Sequence, residues 1–344
     1  MAIPKPSGHP DNIRELGEFG LIERLAALLP PASSPVVVGI GDDAAAVGDG
    51  PKLTLYTTDL LLEEVHFRLD LISPEGLGYK ALAVNVSDIA AMGGSPEYGL
   101  VATAWPLESP VETCDGIYRG LALAAEHFGV ELIGGDTSRS GNVILSIFLT
   151  GRVGRELVQA RSGGQVGDIL LVTGSLGASA AGLELLLHAE TEVETEVARS
   201  LKERHLRPVP RVREAGAAAR GGSRAMIDLS DGLASDLGHI CKASGVGAEV
   251  DVDAIPVEPG VAAVAHAFGK DPLAYALFGG EDYELLMAVP PEKAHEVMRV
   301  VREETGTAVT AVGRLVLPEK GTSLLHADGR ARPLERGGWD HFRA

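Results

Sequence analysis

The sequence predicts an α/β protein of two domains, and three observations carry that expectation. Short β-branched runs alternate with stretches of helical periodicity along the whole chain. The 344 residues, 45% hydrophobic and 4% aromatic, are enough for two cores of ordinary size. An apolar run followed by small or polar residues and then an aspartate recurs as VVVGIGDD, LTLYTTD, LAVNVSD, VELIGGD and AMIDLSD.

In chain order, residues 1–16 are polar, with prolines at 4, 6 and 10, and read as a loose arm without the apolar core of a signal peptide. Residues 17–30 place Phe19, Leu21, Ile22, Leu25, Leu28 and Leu29 on one helical stripe that Pro30 and Pro31 stop. Strands are expected at 35–40, 53–58, 99–105, 130–134, 143–153, 168–174, 225–229, 247–253 and 283–290. Helices are expected near 75–92, 111–128, 178–188, 194–205, 210–220, 232–244, 260–268 and 291–305. A glycine-rich composition shift near 151–167 sets the expected division: an arm over 1–16, an N-terminal domain over 17–152 and a C-terminal domain over 153–344. Neither a repeat nor a low-complexity tract interrupts this order.

Composition excludes several classes. Thirty Lys and Arg stand against 48 Asp and Glu, a net charge of −18, so a broad nucleic-acid-binding face is not expected. A stretch of 18 uninterrupted apolar residues is absent, so neither a membrane span nor a membrane partner is expected, and the expected location is the cytoplasm. Cys114 and Cys241 form no C-x-x-C pair and read as reduced thiols. The P-loop, G-x-G-x-x-G, H-E-x-x-H and G-x-S-x-G patterns are all missing.

The chemistry is expected at the recurring aspartates: Asp42, Asp43, Asp59, Asp88, Asp136, Asp228 and Asp231. One such residue is an ordinary turn or helix cap. Five repetitions beside small residues put carboxylates on one sheet rim, where open α/β folds bind ligands. Carboxylates gathered there repel and raise one another's pKa unless cations lie between them. The donors on offer are hard oxygens, including the Thr57 and Thr58 hydroxyls, which suit Mg²⁺ or Mn²⁺ completed by substrate phosphates. Structural calcium binding without turnover stays open on the residues alone. In SDGLASDLGHI, Ser230 or Asp231 is expected to cap a helix whose Leu233, Leu237 and Ile240 face the core and whose Asp236 is solvated. Lys80 and Asn85 read as structural. His66, Arg161 in a glycine loop, Glu281 and Asp282 after Gly-Gly, and Trp339 near the end are further candidates.

Taken together, GEFGLI, GIGDDAA, TTDLLLEEVHF, YKALAVNVSDIAAMGG, LIGGDTSRS, ARSGGQVGD, RHLRPVPR, IDLSDGLASDLGHI, SGVGAEVD, GGEDYEL and GWDHF resemble the thiamine-monophosphate kinase family, in its order, from about residue 17 to 342. The aspartate turns are shared with a wider superfamily that includes aminoimidazole ribonucleotide synthetase, so another ATP-using member of it is the alternative enzyme. The resemblance implies two α/β domains of that superfamily's fold, the N-terminal sheet pairing with a twin across a homodimer. It implies ATP as co-substrate, several Mg²⁺ ions, and conversion of thiamine monophosphate to thiamine diphosphate by direct in-line transfer of the γ-phosphoryl group. By the same resemblance Asp43, Thr57, Thr58, Asp59, Asp88, Asp136, Asp228 and Asp231 are metal ligands, with Asp88 shared among ions. Tyr118, Gly135, Asp136, Arg161 and Ser230 are implied ATP contacts, and His66, Glu281 and Trp339 thiamine-phosphate contacts. Asp88, Asp136, Arg161 and Asp231 are the implied catalytic set. Glu64 stands where the family more often has Gly, and Ala178 where an acid is often seen.

Overall fold

The computed structural model describes residues 12–334, 337–339 and 341–342, so most of the expected N-terminal arm lies outside the described residues. The N-terminal half runs α1 (Ile13–Ala26), β1 (Val36–Val38), β2 (Ala45–Val47), β3 (Lys52–Leu62), α2 (Pro74–Ala91), β4 (Ser95–Trp105), α3 (Val111–Phe128), β5 (Glu131–Arg139) and β6 (Ile144–Gly154). Its strands form one sheet in the order β1-β2-β3-β6-β4-β5, antiparallel except for the β4–β5 pair.

The burial pattern of this sheet follows from covering one face. Along β3, Leu53, Leu55 and Thr57 are buried, while Lys52, Tyr56, Thr58 and Leu60 face outward, the period of two that a half-covered sheet imposes. Helix α2 lies on the inner face, with α3 against it. A Cβ built on Gly78 of α2 would stand 1.9 Å from the Ile117 carbonyl oxygen of α3, and one on Gly120 only 1.8 Å from that of Glu75. Glycine at both positions lets the two backbones touch. The outer face of the sheet is left with Tyr56, Leu60, Tyr98, Leu100 and Phe148, all of them exposed.

The C-terminal half runs β7 (Ile169–Thr173), α4 (Ala178–Leu187), α5 (Thr195–Leu206), α6 (Val212–Gly221), β8 (Ala225–Asp228), α7 (Leu233–Ser244), β9 (Gly247–Asp251), α8 (Val261–Phe268), α9 (Pro272–Phe278), β10 (Leu285–Val289), α10 (Pro291–Thr305), β11 (Val309–Val316), β12 (Thr322–Leu325) and β13 (Ala331–Pro333). These strands form a second sheet, β13-β12-β9-β11-β7-β10-β8. Both faces of its centre are covered. Leu170, Val172, Leu286 and Ala288 pack with Leu237 and Ile240 of α7, while Leu171, Leu285 and Met287 pack with Ala218 of α6 and Val297 of α10. Double coverage explains why β8 and β10 are buried at every residue. Helix α2 joins the halves, because it also packs against α6 and β8.

Several expectations are corrected. Helix α1 starts at Ile13 and not at 17: the Asn12 side chain accepts from the Glu15 amide, and Gly17, at φ 68°, absorbs a kink. Residues 13–16 are therefore helical, not a loose arm. The helix ends at Ala26, leaving Leu28 and Leu29 exposed, because the prolines that follow favour extended backbone. Strands β3 and β5 run on to Leu62 and Arg139, so Asp59 and Asp136 sit within strands and not in turns. The expected division after residue 152 falls two residues before the end of β6. Elements β2, α9, β11, β12 and β13 were not anticipated. They are short, or broken as β11 is between Ala311 and Gly313, where its register against β7 shifts.

Candidate active site

Three kinds of element bring buried carboxylates to one place. Strand β3 carries Thr57 and Asp59 on its inner face, the turn before β2 carries Asp43, α2 carries Asp88, and β8 ends on Asp228. The Thr57 hydroxyl donates to Asp88 Oδ2 at 2.6 Å. The Ser87 hydroxyl donates to Asp228 Oδ2 at 2.6 Å, a bond that ties the two halves together. Asn85 accepts from the Asp59 amide at 3.0 Å and so locks α2 to β3. Oxygens of Asp43, Asp88 and Asp228 lie within 4.8 Å of one another.

Burial among like charges sets the electrostatics. It raises Asp88 well above the usual carboxylate range, with Asp59, Asp228 and Asp43 adding to the effect. Burial pushes Asp228 up to about 8, helped by Asp43. Asp59 is pushed up to about 6 by burial, and Asp42 to about 7 by burial and then by Asp43. Asp43 is raised by burial against the opposing pull of Arg161. Arg161 Nε donates to Asp43 Oδ1 at 3.1 Å, and the Arg161 amide donates to Asp42 at 3.0 Å. Asp43 Oδ2 is buried with no hydrogen-bond partner among the described residues. An orphaned carboxylate oxygen inside a group of hard-oxygen donors is the environment that a divalent cation fits. A second group, Asp231, Asp236 and His239, also has ligand atoms within 4.8 Å of one another.

A second cluster lies where β10 is approached. Glu281 Oε1 is 2.9 Å from Lys80 Nζ, and its Oε2 is 3.2 Å from His205 Nδ1. Its backbone has φ 63°, and its amide donates to the Ser230 carbonyl at 2.7 Å. His66 accepts from the Leu62 amide through Nδ1 at 3.0 Å, and its ring is 4.8 Å from that of His341. Trp339 Nε1 donates to His341 Nδ1 at 3.2 Å, and the Trp339 amide donates to the Asp231 carbonyl at 3.3 Å. Trp339 is 53% exposed. His66, Glu281 and Trp339 are thus gathered around one rim that begins at Asp231.

Other candidates stand apart. Thr58 points to the outer face of the sheet, opposite Thr57 and Asp59. Gly135 and Asp136 are on β5, the exposed edge strand, with β6 and β4 between them and β3. Tyr118 is 45% exposed on α3. Glu64 is an exposed residue at φ 66°, a backbone conformation that favours glycine. The expected cap of α7 is replaced by Gly232, without a side-chain cap. Asp236 is buried, not solvated, and accepts from the Asp231 amide.

Family models for the N- and C-terminal domains of AIR synthase related proteins match residues 41–153 and 165–325. The chain is 40% identical to thiamine-monophosphate kinase of Salmonella typhimurium over 95% of its own length and 98% of that protein. It is 38% identical to thiamine-monophosphate kinase of Aquifex aeolicus, covering 96% and 99% of the two chains. The chain belongs to the thiamine-monophosphate kinase family.

A solved structure of AaThiL complexed with AMPPCP and TMP superposes with a TM-score of 0.85 at 37% identity, over 96% of this chain and 99% of that one. This thiamine-monophosphate kinase family member therefore has the two-domain α/β fold that its sequence predicts. The candidate site also includes residues that read as structural in the sequence. Asn85, Ser87 and Lys80 each bond to a candidate ligand or substrate residue. Their signal is present in the sequence: beyond its first turn, Lys80, Asn85, Ser87 and Asp88 interrupt the otherwise apolar run of α2. His205 carries no such signal, because its partners Lys80, Ser179 and Glu281 are remote in sequence.

Proposed function

We propose that this chain transfers the γ-phosphoryl group of ATP to thiamine monophosphate, giving ADP and thiamine diphosphate, as a cytoplasmic homodimer that uses several Mg²⁺ ions. The observation that supports it most is the buried Asp43–Asp88–Asp228 group, with its unpartnered oxygen, beside the open ring-binding rim of His66, Glu281 and Trp339. Asp43, Thr57, Asp59, Asp88, Asp228 and Asp231 would hold Mg²⁺, which supplies charge neutralisation between carboxylates and phosphate chains. The acceptor is a phosphate oxygen and already nucleophilic, so the chain needs to position the two phosphate groups rather than provide a strong base. Arg161 is paired with Asp43 and stands ready to exchange that carboxylate for the transferred phosphoryl group. Ser230 lies on the Asp228–Asp231 turn, within reach of the nucleotide in this reading. Trp339 covers the thiamine rings.

The test is ADP release with MgCl₂ and ATP, adding thiamine monophosphate, thiamine and aminoimidazole ribonucleotide precursors in turn. Stimulation by thiamine monophosphate, with thiamine diphosphate as product and no label left on protein from γ-labelled ATP alone, supports the reading. Stimulation by another acceptor, or a stoichiometric phosphoenzyme, overturns it. Trp339→Ala should raise KM for thiamine monophosphate about tenfold and leave KM for ATP nearly unchanged, since stacking and not phosphate binding is lost. A larger effect on ATP would place the indole at the nucleotide.

Dimerisation is supported by the uncovered outer face of the N-terminal sheet, with Tyr56, Leu60, Tyr98, Leu100 and Phe148. The implied metal ligands Thr58 and Asp136 and the implied ATP contact Gly135 lie outside one protomer's carboxylate cluster, on the outer face or the edge strand of this sheet, so in this reading a partner over the sheet completes their role. Sedimentation equilibrium should show a dimer for the native chain and a monomer with little activity for Phe148→Glu. A fully active Phe148→Glu monomer would remove the dimer from the mechanism.

A further inference from the structure

Helix α2 carries two polar clusters, and they lie at opposite ends of the site. Asp88, near its C-terminal end, belongs to the carboxylate group, while Lys80, eight residues earlier, reaches Glu281. At the rise of an α-helix, eight residues span about 12 Å. Lys80 is 2% exposed, so it cannot itself meet a substrate, and it stands among buried Leu77, Ala81 and Val84. A buried ion pair is a poor way to stabilise a fold, because desolvating the charges offsets their attraction. This pair also holds a residue at a costly place. Glu281 has φ 63° and Tyr283, two residues on, has φ 51°, values that side-chain-bearing residues rarely adopt.

The contacts around the Glu281 carboxylate define its orientation. Oε1 is taken by the Lys80 ammonium at 2.9 Å, and Oε2 by His205 Nδ1 at 3.2 Å. His205 is in turn held by the Ser179 hydroxyl at 3.0 Å, while Lys80 Nζ stands 3.5 Å from His205 Nε2. Burial, with Lys80 beside it, pushes the His205 pKa down to about 4, so the imidazole is neutral and can donate through one nitrogen while accepting through the other. The Glu281 side chain is 31% exposed, against 3% for that of Lys80, so one side of the carboxylate is open to the site. Lys80 and His205 thus grip the carboxylate from the protein side and leave its remaining lone pairs to the rim that carries His66 and Trp339.

We infer that Lys80, with His205, is a positioning residue for the substrate end of the site, acting through Glu281 to fix the carboxylate that receives the ring system of thiamine monophosphate. This rests on the reading of Glu281 as a thiamine-phosphate contact. By sharing α2 with Asp88, Lys80 also ties the position of that carboxylate to that of the carboxylate cluster. Substrate and metal ends are then held in register by one rigid element. Lys80 touches no reacting atom in this scheme, and its effect appears in substrate binding.

The experiment is steady-state kinetics of the full chain for Lys80→Met, Glu281→Gln, both together, and His205→Gln. Lys80→Met should raise KM for thiamine monophosphate about tenfold or more, with KM for ATP within about twofold and kcat within about fivefold. In the Glu281→Gln background it should add less than about twofold, because the residue it acts through is already lost. His205→Gln should show the same selective rise. If Lys80→Met raises both KM values alike, or its effect multiplies in full with that of Glu281→Gln, the positioning role is wrong. If Glu281→Gln alone leaves KM for thiamine monophosphate unchanged, the substrate contact itself is misassigned, and the positioning role falls with it. Should Lys80→Met fail to fold by circular dichroism, the double variant leaves neither charge buried alone. His205→Gln then decides: a selective rise in KM for thiamine monophosphate upholds the clamp, and an unchanged value overturns it.

Discussion

Asp88→Asn is expected to lower kcat by about three orders of magnitude or more while making the metal-free chain more stable. The two effects have one cause. Asp88 is buried beside Asp59, Asp228 and Asp43, and each of these neighbours disfavours its ionised form. Asparagine has the same shape and keeps an oxygen to accept from Thr57, which now donates at 2.6 Å. The substitution therefore relieves repulsion and costs little packing. What is lost is the anionic oxygen pair at the centre of the proposed Mg²⁺ ligands, on which charge neutralisation of two phosphate chains depends. Thermal melting in EDTA and turnover at saturating Mg²⁺ check both halves. Near-normal turnover would remove Asp88 from the metal site, and a lower melting temperature in EDTA would contradict the electrostatic account.

The second large effect is a metal-induced stabilisation that grows with pH. Asp228 and Asp59 have folded-state pKa values of about 8 and 6, both raised from 3.8 mainly by burial. A carboxyl group with a raised folded-state pKa favours the folded chain while both states are protonated, below the unfolded value. That contribution is lost as pH rises through the folded value. In EDTA these groups therefore cost the protein stability progressively between about pH 4 and 8. A divalent cation replaces the protons they hold, so it competes less with protons and binds more tightly as pH rises. The gain in melting temperature on adding MgCl₂ should accordingly be small at pH 6 and several degrees or more at pH 8.5. A gain that is flat across this range, or no gain at all, would show that these carboxylates do not hold the metal.

The long elements were legible because their patterns follow simple coverage rules. Alternation in β3 and β6 reports a sheet covered on one face, and the apolar runs 225–227 of β8 and 285–289 of β10 report one covered on both. Helices α2 and α3 were placed within one residue of their observed limits. The short elements β2, β12 and β13 were not legible, because three or four residues carry no period and take their shape from the neighbours they pair with. The boundaries of α1 depended on one Asn cap and one glycine kink, which a hydrophobic stripe does not reveal.

The candidate site divides in the same way. The sequence by itself determined the ligand chemistry: aspartates, threonines and small residues in numbers that suit hard cations and phosphates. It also determined the family, through the order of its motifs. Only the tertiary structure decided which aspartates meet. The recurring motif turned out to be a turn at Asp43, a strand at Asp59, a helix at Asp88 and an edge strand at Asp136. Local sequence sets the type of group, but the distance between groups remote in sequence depends on how α2 packs between β3, β8 and α6. The same packing turned Lys80, Asn85 and Asp236 from expected structural or solvated residues into buried partners of the site, since burial is a property of what covers a residue and not of the residue itself.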